Sequence, residues 1–169
     1  PLGGILKIER KRSDKVMQVL PKQSFRNSID IGCGLGIMME CLEYVSDNVI
    51  GLDIVNSTDR KNVMELDFNK GNLPFKDDSF DLVVCTEVLE HLHYLHKVLA
   101  EIQRILSDDG YAVIGLPDSY HIYNRRDILF GKEIKAHGSD SYGHQCFTTL
   151  QQNEEFVKTQ FDIIKKEYI

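Results

Sequence analysis

Apolar residues fall in short blocks along the chain, and the spacing inside the blocks changes repeatedly between that of a strand and that of a helix. Residues 13–20 read as a short helix closed by Pro21, since proline cannot continue one. Strand and helix patterns then alternate. Asn27–Gly32 is a strand running into glycines, Ile37–Val45 is helical, Asn48–Ile54 is apolar and β-branched, and Asn62–Phe68 is a shorter strand. Phe80–Cys85 carries the continuous apolar run of a strand buried on both faces. Leu92, Leu95, Val98, Leu99, Ile102 and Leu106 recur at helical spacing and predict a helix from about His91 to Leu106. Asp108-Asp109-Gly110 stops that helix, Tyr111–Leu116 is the next strand, and Pro117 ends it. Residues 118–146 are polar and without periodicity, the pattern of a lid or substrate element. Thr148–Gln160 reads as a helix and Phe161–Ile169 as a final strand.

Strands joined by helix-length connections pair in parallel through right-handed crossovers and need both faces covered. The expected fold is therefore a doubly wound, mostly parallel α/β sheet with helices on both faces. Such a sheet takes its ligand at the carboxyl ends of the strands. The 169 residues suit one domain, with a core over about 24–118, a substrate or lid segment over about 118–147, and a closing helix and strand over 148–169.

Composition narrows the partners. A net charge of −6 argues against nucleic acid or an anionic membrane surface, and the basic run Lys7–Arg12 reads as a solvated helix start. No apolar run approaches the roughly 20 residues that span a bilayer, and no secretory signal stands out. The four cysteines (Cys33, Cys41, Cys85, Cys146) show no CxxC spacing, which suggests free thiols in a reducing cytoplasm.

The strongest chemical signal is Asp30-Ile31-Gly32-Cys33-Gly34-Leu35-Gly36, a strand ending in a tight glycine turn before a helix. Glycines allow a sharp turn and a close backbone approach to a ligand. Dinucleotide sites favour GxGxxG, which seats a pyrophosphate on the helix N-terminus. Here the third glycine comes one residue early and a carboxylate precedes the loop. Asp30 would repel a pyrophosphate but suits an ammonium group. Asp53, closing Gly51-Leu52-Asp53-Ile54, can accept both ribose hydroxyls. Asp67-Phe68 is placed to accept from an adenine amine and cover its ring; the plainer role for Asp67 is to cap local backbone.

These segments, together with ELDFNKGNLPFKDDSFDLVVCTEVLEHL and VLAEIQRILSDDGYAVIGLPD, resemble the type 11 branch of the class I S-adenosylmethionine (SAM)-dependent methyltransferases over about Ser28–Asp118. The resemblance implies SAM as cofactor and S-adenosylhomocysteine (SAH) as product. It places Asp30, Gly32, Gly34 and Gly36, with Cys33 among them, at the methionine end. Asp53 and Ile54 fall at the ribose, Asp67 and Phe68 at the adenine, and Thr86 or Glu87 near the methionine or the methyl group. The implied reaction is in-line transfer to an O or N nucleophile of a small-molecule, glycan or lipid-type acceptor. His91, His121 and His144 are the candidate bases, and a structural role at a helix start competes for His91.

Other classes lack their signatures. No tyrosine has lysine four residues on, as a short-chain dehydrogenase would need, and neither GxSxG nor a P-loop is present. Glu87-Val88-Leu89-Glu90-His91 resembles the metal-binding segment of small-RNA 2′-O-methyltransferases, where His137 or His144 would add the second imidazole; the acidic chain disfavours that reading, and no metal is expected. A methyltransferase-like domain without turnover is the non-enzyme alternative. The family closes its sheet with an antiparallel seventh strand after the sixth; with Phe161–Ile169 read as the sixth, either the sheet is short by one strand or the assignment of the last two strands is wrong. An exposed edge would permit a homodimer in place of a monomer.

Overall fold

The computed structural model describes residues 2–70, 72–118 and 149–168, with backbone alone for 2–9. In chain order the elements are α1 (Leu2–Val19), β1 (Phe25–Ile31), α2 (Ile37–Leu42), β2 (Ser46–Asp53), β3 (Val63–Glu65) and β4 (Phe80–Thr86). A single 3-10 turn (Leu89–His91) follows, then α3 (Leu95–Ile105), β5 (Leu106–Gly115) and α4 (Leu150–Val157). The strands form one sheet in the order β3-β2-β1-β4-β5, with every pair parallel. The order runs outward from β1 through β2 to β3, then reverses to β4 and β5. That reversal parts the chains leaving β1 and β4 and opens a crevice at their carboxyl ends.

Apolar burial on both faces explains why these strands read as continuous runs. One face packs Ile29, Ile31, Leu52, Val83 and Cys85 against Val98, Leu99, Ile102 and Ile105 of α3. The other packs Phe25, Val49, Leu82 and Val84 against Met38, Met39 and Leu42 of α2 and Val16 of α1. At the amino end of the sheet, Asp81 Oδ2 accepts the backbone N–H groups of Arg26 and Asn27, both at 2.9 Å.

Among the described residues, the segment between β3 and β4 holds no helix and is fastened by side chains instead. Arg104 on α3 donates to the carbonyls of Phe75 (2.8 Å) and Leu73 (3.0 Å) and to the carboxylate of Asp77 (2.7 Å). Glu101 accepts from Arg104 through both oxygens and from the Leu73 N–H at 2.8 Å. Leu73 and Phe75 thereby reach the core, where Phe75 meets Phe80 edge-on with ring centres 4.9 Å apart.

Several boundaries depart from the sequence expectation. The first helix begins at Leu2 rather than residue 13. The strand expected over Asn62–Phe68 shrinks to Val63–Glu65, and the helix expected over Ile37–Val45 ends at Leu42. The helix expected from His91 is broken in two, because Leu92 is extended and separates the 3-10 turn from α3. Asp108-Asp109-Gly110 does not stop that helix. It ends at Ile105, and those residues bulge between the β4–β5 pairs Phe80↔Leu106 and Leu82↔Tyr111. Residues 161–168, expected as a sixth strand, take no strand conformation. Phe161 packs against the core, but Ile164 is 78% exposed, and Lys165 Nζ reaches only the Gln18 carbonyl of α1 at 3.1 Å. Among the described residues the sheet has five strands.

Arg104→Met should destabilise the chain by roughly 2–3 kcal/mol, since it strands two carbonyls and two carboxylates at once. Urea unfolding checks this, and a loss below about 0.5 kcal/mol would show the loop to be held by its apolar residues alone.

Candidate functional site

The turn leaving β1 is built from three left-handed glycines: Gly32 (φ 78°), Gly34 (φ 51°) and Gly36 (φ 77°). At Gly32 a second constraint applies, because a Cβ there would lie 2.0 Å from Cγ2 of Val88. The turn leaving β4 thus packs directly on the turn leaving β1. At Gly34 a Cβ would meet nothing within 4 Å, so the middle of the loop faces open space. The loop is also tied to β2. Leu52 O accepts from the N–H groups of Gly32 (2.7 Å) and Cys33 (3.0 Å), and Asp53 Oδ2 accepts from the N–H of Gly34 at 2.7 Å. Asp53 Oδ1 accepts from the N–H of Ile54 at 2.7 Å, and each oxygen keeps a lone pair for a further donor.

Asp30 is 3% exposed and its Oδ2 has no hydrogen-bond partner. Burial, with a smaller push from Asp53, raises its carboxyl to about 7. The same burial and the neighbouring Asp30 and Asp53 raise the Cys33 thiol to about 12, so it is no nucleophile. An orphaned carboxylate oxygen, an open glycine loop and a carboxylate with spare lone pairs fit the ammonium, backbone and ribose hydroxyls of SAM.

Past β4, Thr86 lies beside Gly115, and Glu87 takes a left-handed conformation (φ 58°) that strains a residue with a side chain. Glu87 faces Arg12 of α1 at 3.5 Å. Glu90 is 2% exposed with both oxygens unpartnered, and burial raises it to about 7. In the sequence Glu90 stands out only within the Glu87-Val88-Leu89-Glu90-His91 segment, as a possible metal ligand. His91 is half-buried in this turn, its N–H bonded to Val88 O at 3.0 Å and its Nε2 4.0 Å from Glu90 Oε1. His121, His137 and His144 lie outside the described residues. Among the described residues, no three His, Cys, Asp or Glu side chains gather to hold a metal.

The adenine end looks different from the expectation. Asp67 accepts from the Asn69 N–H at 3.0 Å and pairs with Lys70 at 3.2 Å; the Asn69 bond, first among these, holds its carboxyl below the usual range. That is the local capping role. Phe68 is 8% exposed and belongs to the core cluster, while Ile54 stands 41% exposed at the mouth of the site. A cavity of about 670 Å³ runs from Thr86 and Glu87 between α1, β5, α4 and residues 161–168.

Gly32→Ala should destabilise the fold by about 2–4 kcal/mol, through left-handed strain plus the Val88 clash. Gly34→Ala should cost only about 1 kcal/mol in stability but weaken cofactor binding at least tenfold, by filling the open side of the loop. Paired urea and calorimetric titrations separate the two. The buried carboxyl of Asp30 holds its proton more tightly folded than unfolded, so its contribution is largest in acid and is lost as pH rises through about 7. Ligand-free protein should therefore unfold at higher urea at pH 6 than at pH 8, and Asp30→Asn should reduce that slope to the share left by Glu90, whose carboxyl burial also raises to about 7.

Comparison with known proteins gives the family and the fold. The pattern describing the methyltransferase domain matches residues 6–165. The subtype matched is 23, so the type 11 assignment rests on the motifs alone. An uncharacterised protein of Methanocaldococcus jannaschii is 43% identical over 109 residues, covering 63% of this chain and 44% of its own. The probable S-adenosylmethionine-dependent methyltransferase of Mycolicibacterium smegmatis is 32% identical over 108 residues, 60% of this chain and 42% of its own. This chain thus spans less than half the length of either relative. By fold, the PH0226 protein of Pyrococcus horikoshii superposes with a TM-score of 0.72 at 18% identity, over 97% of this chain and 85% of its own. No helix among the described residues is long and apolar enough to cross a membrane. The chain belongs to the class I SAM-dependent methyltransferases, as a methyltransferase domain whose cofactor is SAM.

Proposed function

We infer that this domain transfers the methyl group of SAM, by in-line displacement, to an O or N nucleophile of a small-molecule or lipid-type acceptor. The observation that carries the reading is the pairing of an open glycine loop at Gly34 with the unpartnered buried Oδ2 of Asp30. A phosphate ligand would be repelled there, whereas an α-ammonium is attracted. Bound SAM supplies an electrophilic methyl on a sulfonium. The chain's own part is to hold and align it. Asp30 answers the ammonium, Gly32–Gly36 with Cys33 let the backbone come close, and Asp53 accepts from the ribose beside Ile54. Thr86 and Glu87 line the approach to the methyl. Alignment of this kind can supply up to roughly 7–11 kcal/mol of barrier lowering.

The acceptor is read to arrive through the cavity that begins at Thr86 and Glu87. Its walls are largely apolar, with Val16, Val113, Leu116 and Phe161 among them and Arg12 and Lys15 at one side. Such walls suit a small molecule or an acyl-bearing acceptor better than a glycan. His91 is the candidate base within the described residues, and His121 and His144 share that role in the proposal. Asp67 and Phe68 contribute to the adenine side through the shape of their loop.

SAM should bind in the micromolar range and NAD should not, and Asp53→Ala should weaken SAM at least tenfold. Calorimetric titration of both ligands measures this. Failure of the folded wild type to bind SAM would leave a methyltransferase-shaped interaction domain as the better account.

A further inference from the structure

The cavity that opens at Thr86 and Glu87 carries charge on one wall that binding of SAM leaves unused. That wall is the face of α1 bearing Arg12, Lys15, Val16 and Val19, all of which line the cavity. Their spacing of three or four residues stacks them in a single stripe. Val16 is buried in the core, with Leu20, Tyr111 and Val113 packed on the same cluster, so the stripe faces the sheet. From Arg12 to Val19 the helix rises about 10 Å, cationic at the Glu87 end and apolar beyond it. Leu116 and Phe161 extend the apolar lining from other elements.

Most carboxylates along the cavity already have partners or face solvent. Glu87 has Arg12 at 3.5 Å. Glu154 accepts from Lys158 and Lys166, both at 2.8 Å. Asp118 has an interaction of its own, and Asp162 and Glu167 are exposed. Lys15 differs: it is half-buried on the cavity wall and meets no carboxylate among the described residues. A cation held against apolar walls without a counter-charge is costly, and an anionic ligand relieves that cost. Two cations, Arg12 and Lys15, set against the one carboxylate of Glu87 leave a single positive charge. That matches a carboxylate, whereas a phosphate monoester would exceed it. We propose, resting on the acceptor route read above, that the acceptor is an apolar monoacid. Its carboxylate is taken by Lys15, with Arg12 one turn away, and its acyl or aryl body lies along Val16 and Val19. Lys15 is then a specificity residue, because an alcohol with the same body fits the cavity but leaves the charge unanswered.

The test is binding, with decanoate, decanol and decyl phosphate as probes, each below its micellar range. They are titrated calorimetrically into the whole chain saturated with SAH, after SAH binding itself has been measured. Decanoate should bind at least tenfold more tightly than decanol and no more weakly than decyl phosphate. Lys15→Met should bring decanoate within about threefold of decanol while leaving decanol unmoved. Lys15→Arg should keep the preference, and so should Lys11→Met, which removes an exposed charge of the same helix. Equal binding of acid and alcohol by the wild type would overturn the inference, whether or not Lys15→Met folds. A preference that survives in folded Lys15→Met would do the same, tracing it to Arg12 or to the surface at large. Tighter binding of decyl phosphate would overturn the monoacid class. Decanoate failing to bind a chain that does bind SAH would sink this proposal and spare the cofactor assignment. Decanoate held through Lys15 by a chain that ignores SAH would instead bring down the methyl-transfer reading and leave the acid site standing.

Discussion

The ligand end of this molecule depends on the contact between Gly32 and Val88. The sheet's reversal of strand order parts the chains leaving β1 and β4. Val88 then closes most of that gap by resting where any side chain at position 32 would stand. The position of everything around it follows. Glu87 must take a left-handed backbone to bring Val88 inward, Leu89 drops into the α3-side core, and Glu90 is carried under cover with it. A fold-wide topology thus ends in one apolar contact, and the chemistry is arranged on either side of it.

The carboxylates of the sheet and its loops divide by how they are satisfied. Asp81, Glu101 and Asp53 each accept backbone N–H groups across long stretches of sequence, and so act as fasteners. Asp30 and Glu90 are more deeply buried and accept nothing from another side chain. A folded chain leaves few such groups unpaired, because each opposes its stability. Their concentration at one end of one sheet marks where stability has been given over to function.

The alternation of strands and helices, and the glycine turn with its acidic neighbours, were legible because each rests on local pattern: continuous apolar runs, i, i+3 and i+4 spacing, or backbone that only glycine adopts easily. What escaped was non-local or ambiguous in period. Leu92 and Leu95 fit a helical register, yet Leu92 is extended, since an i, i+3 spacing serves a 3-10 turn and an α-helix equally. The alternation in Phe161–Ile169 suggested a strand, but a strand needs a neighbour in register, which no local pattern supplies. The capping bond that Asp67 accepts from the Asn69 N–H could not be told from a ligand role in the sequence, because its donor is backbone and does not show in side-chain chemistry. Phe68 reads equally well as a ring over a ligand and as core, and its burial in the α3-side cluster is a tertiary fact. The substrate segment expected over about 118–147 offers no periodic pattern to read, and beyond Asp118 it lies outside the described residues.

Asp53 carries a further consequence. The carboxylate proposed above to take the ribose already holds the Gly34 N–H, joining β2 to the turn beside it. The loop is therefore tied down before any nucleoside arrives, and the entropy of ordering it is spent during folding rather than on encounter. Recognition at this site should be quick and nearly rigid, closer to a key entering a cut lock than to a hand closing. The affinity lost on removing Asp53 would then overstate its direct grip on the sugar, since part of that loss is the loop's restored freedom.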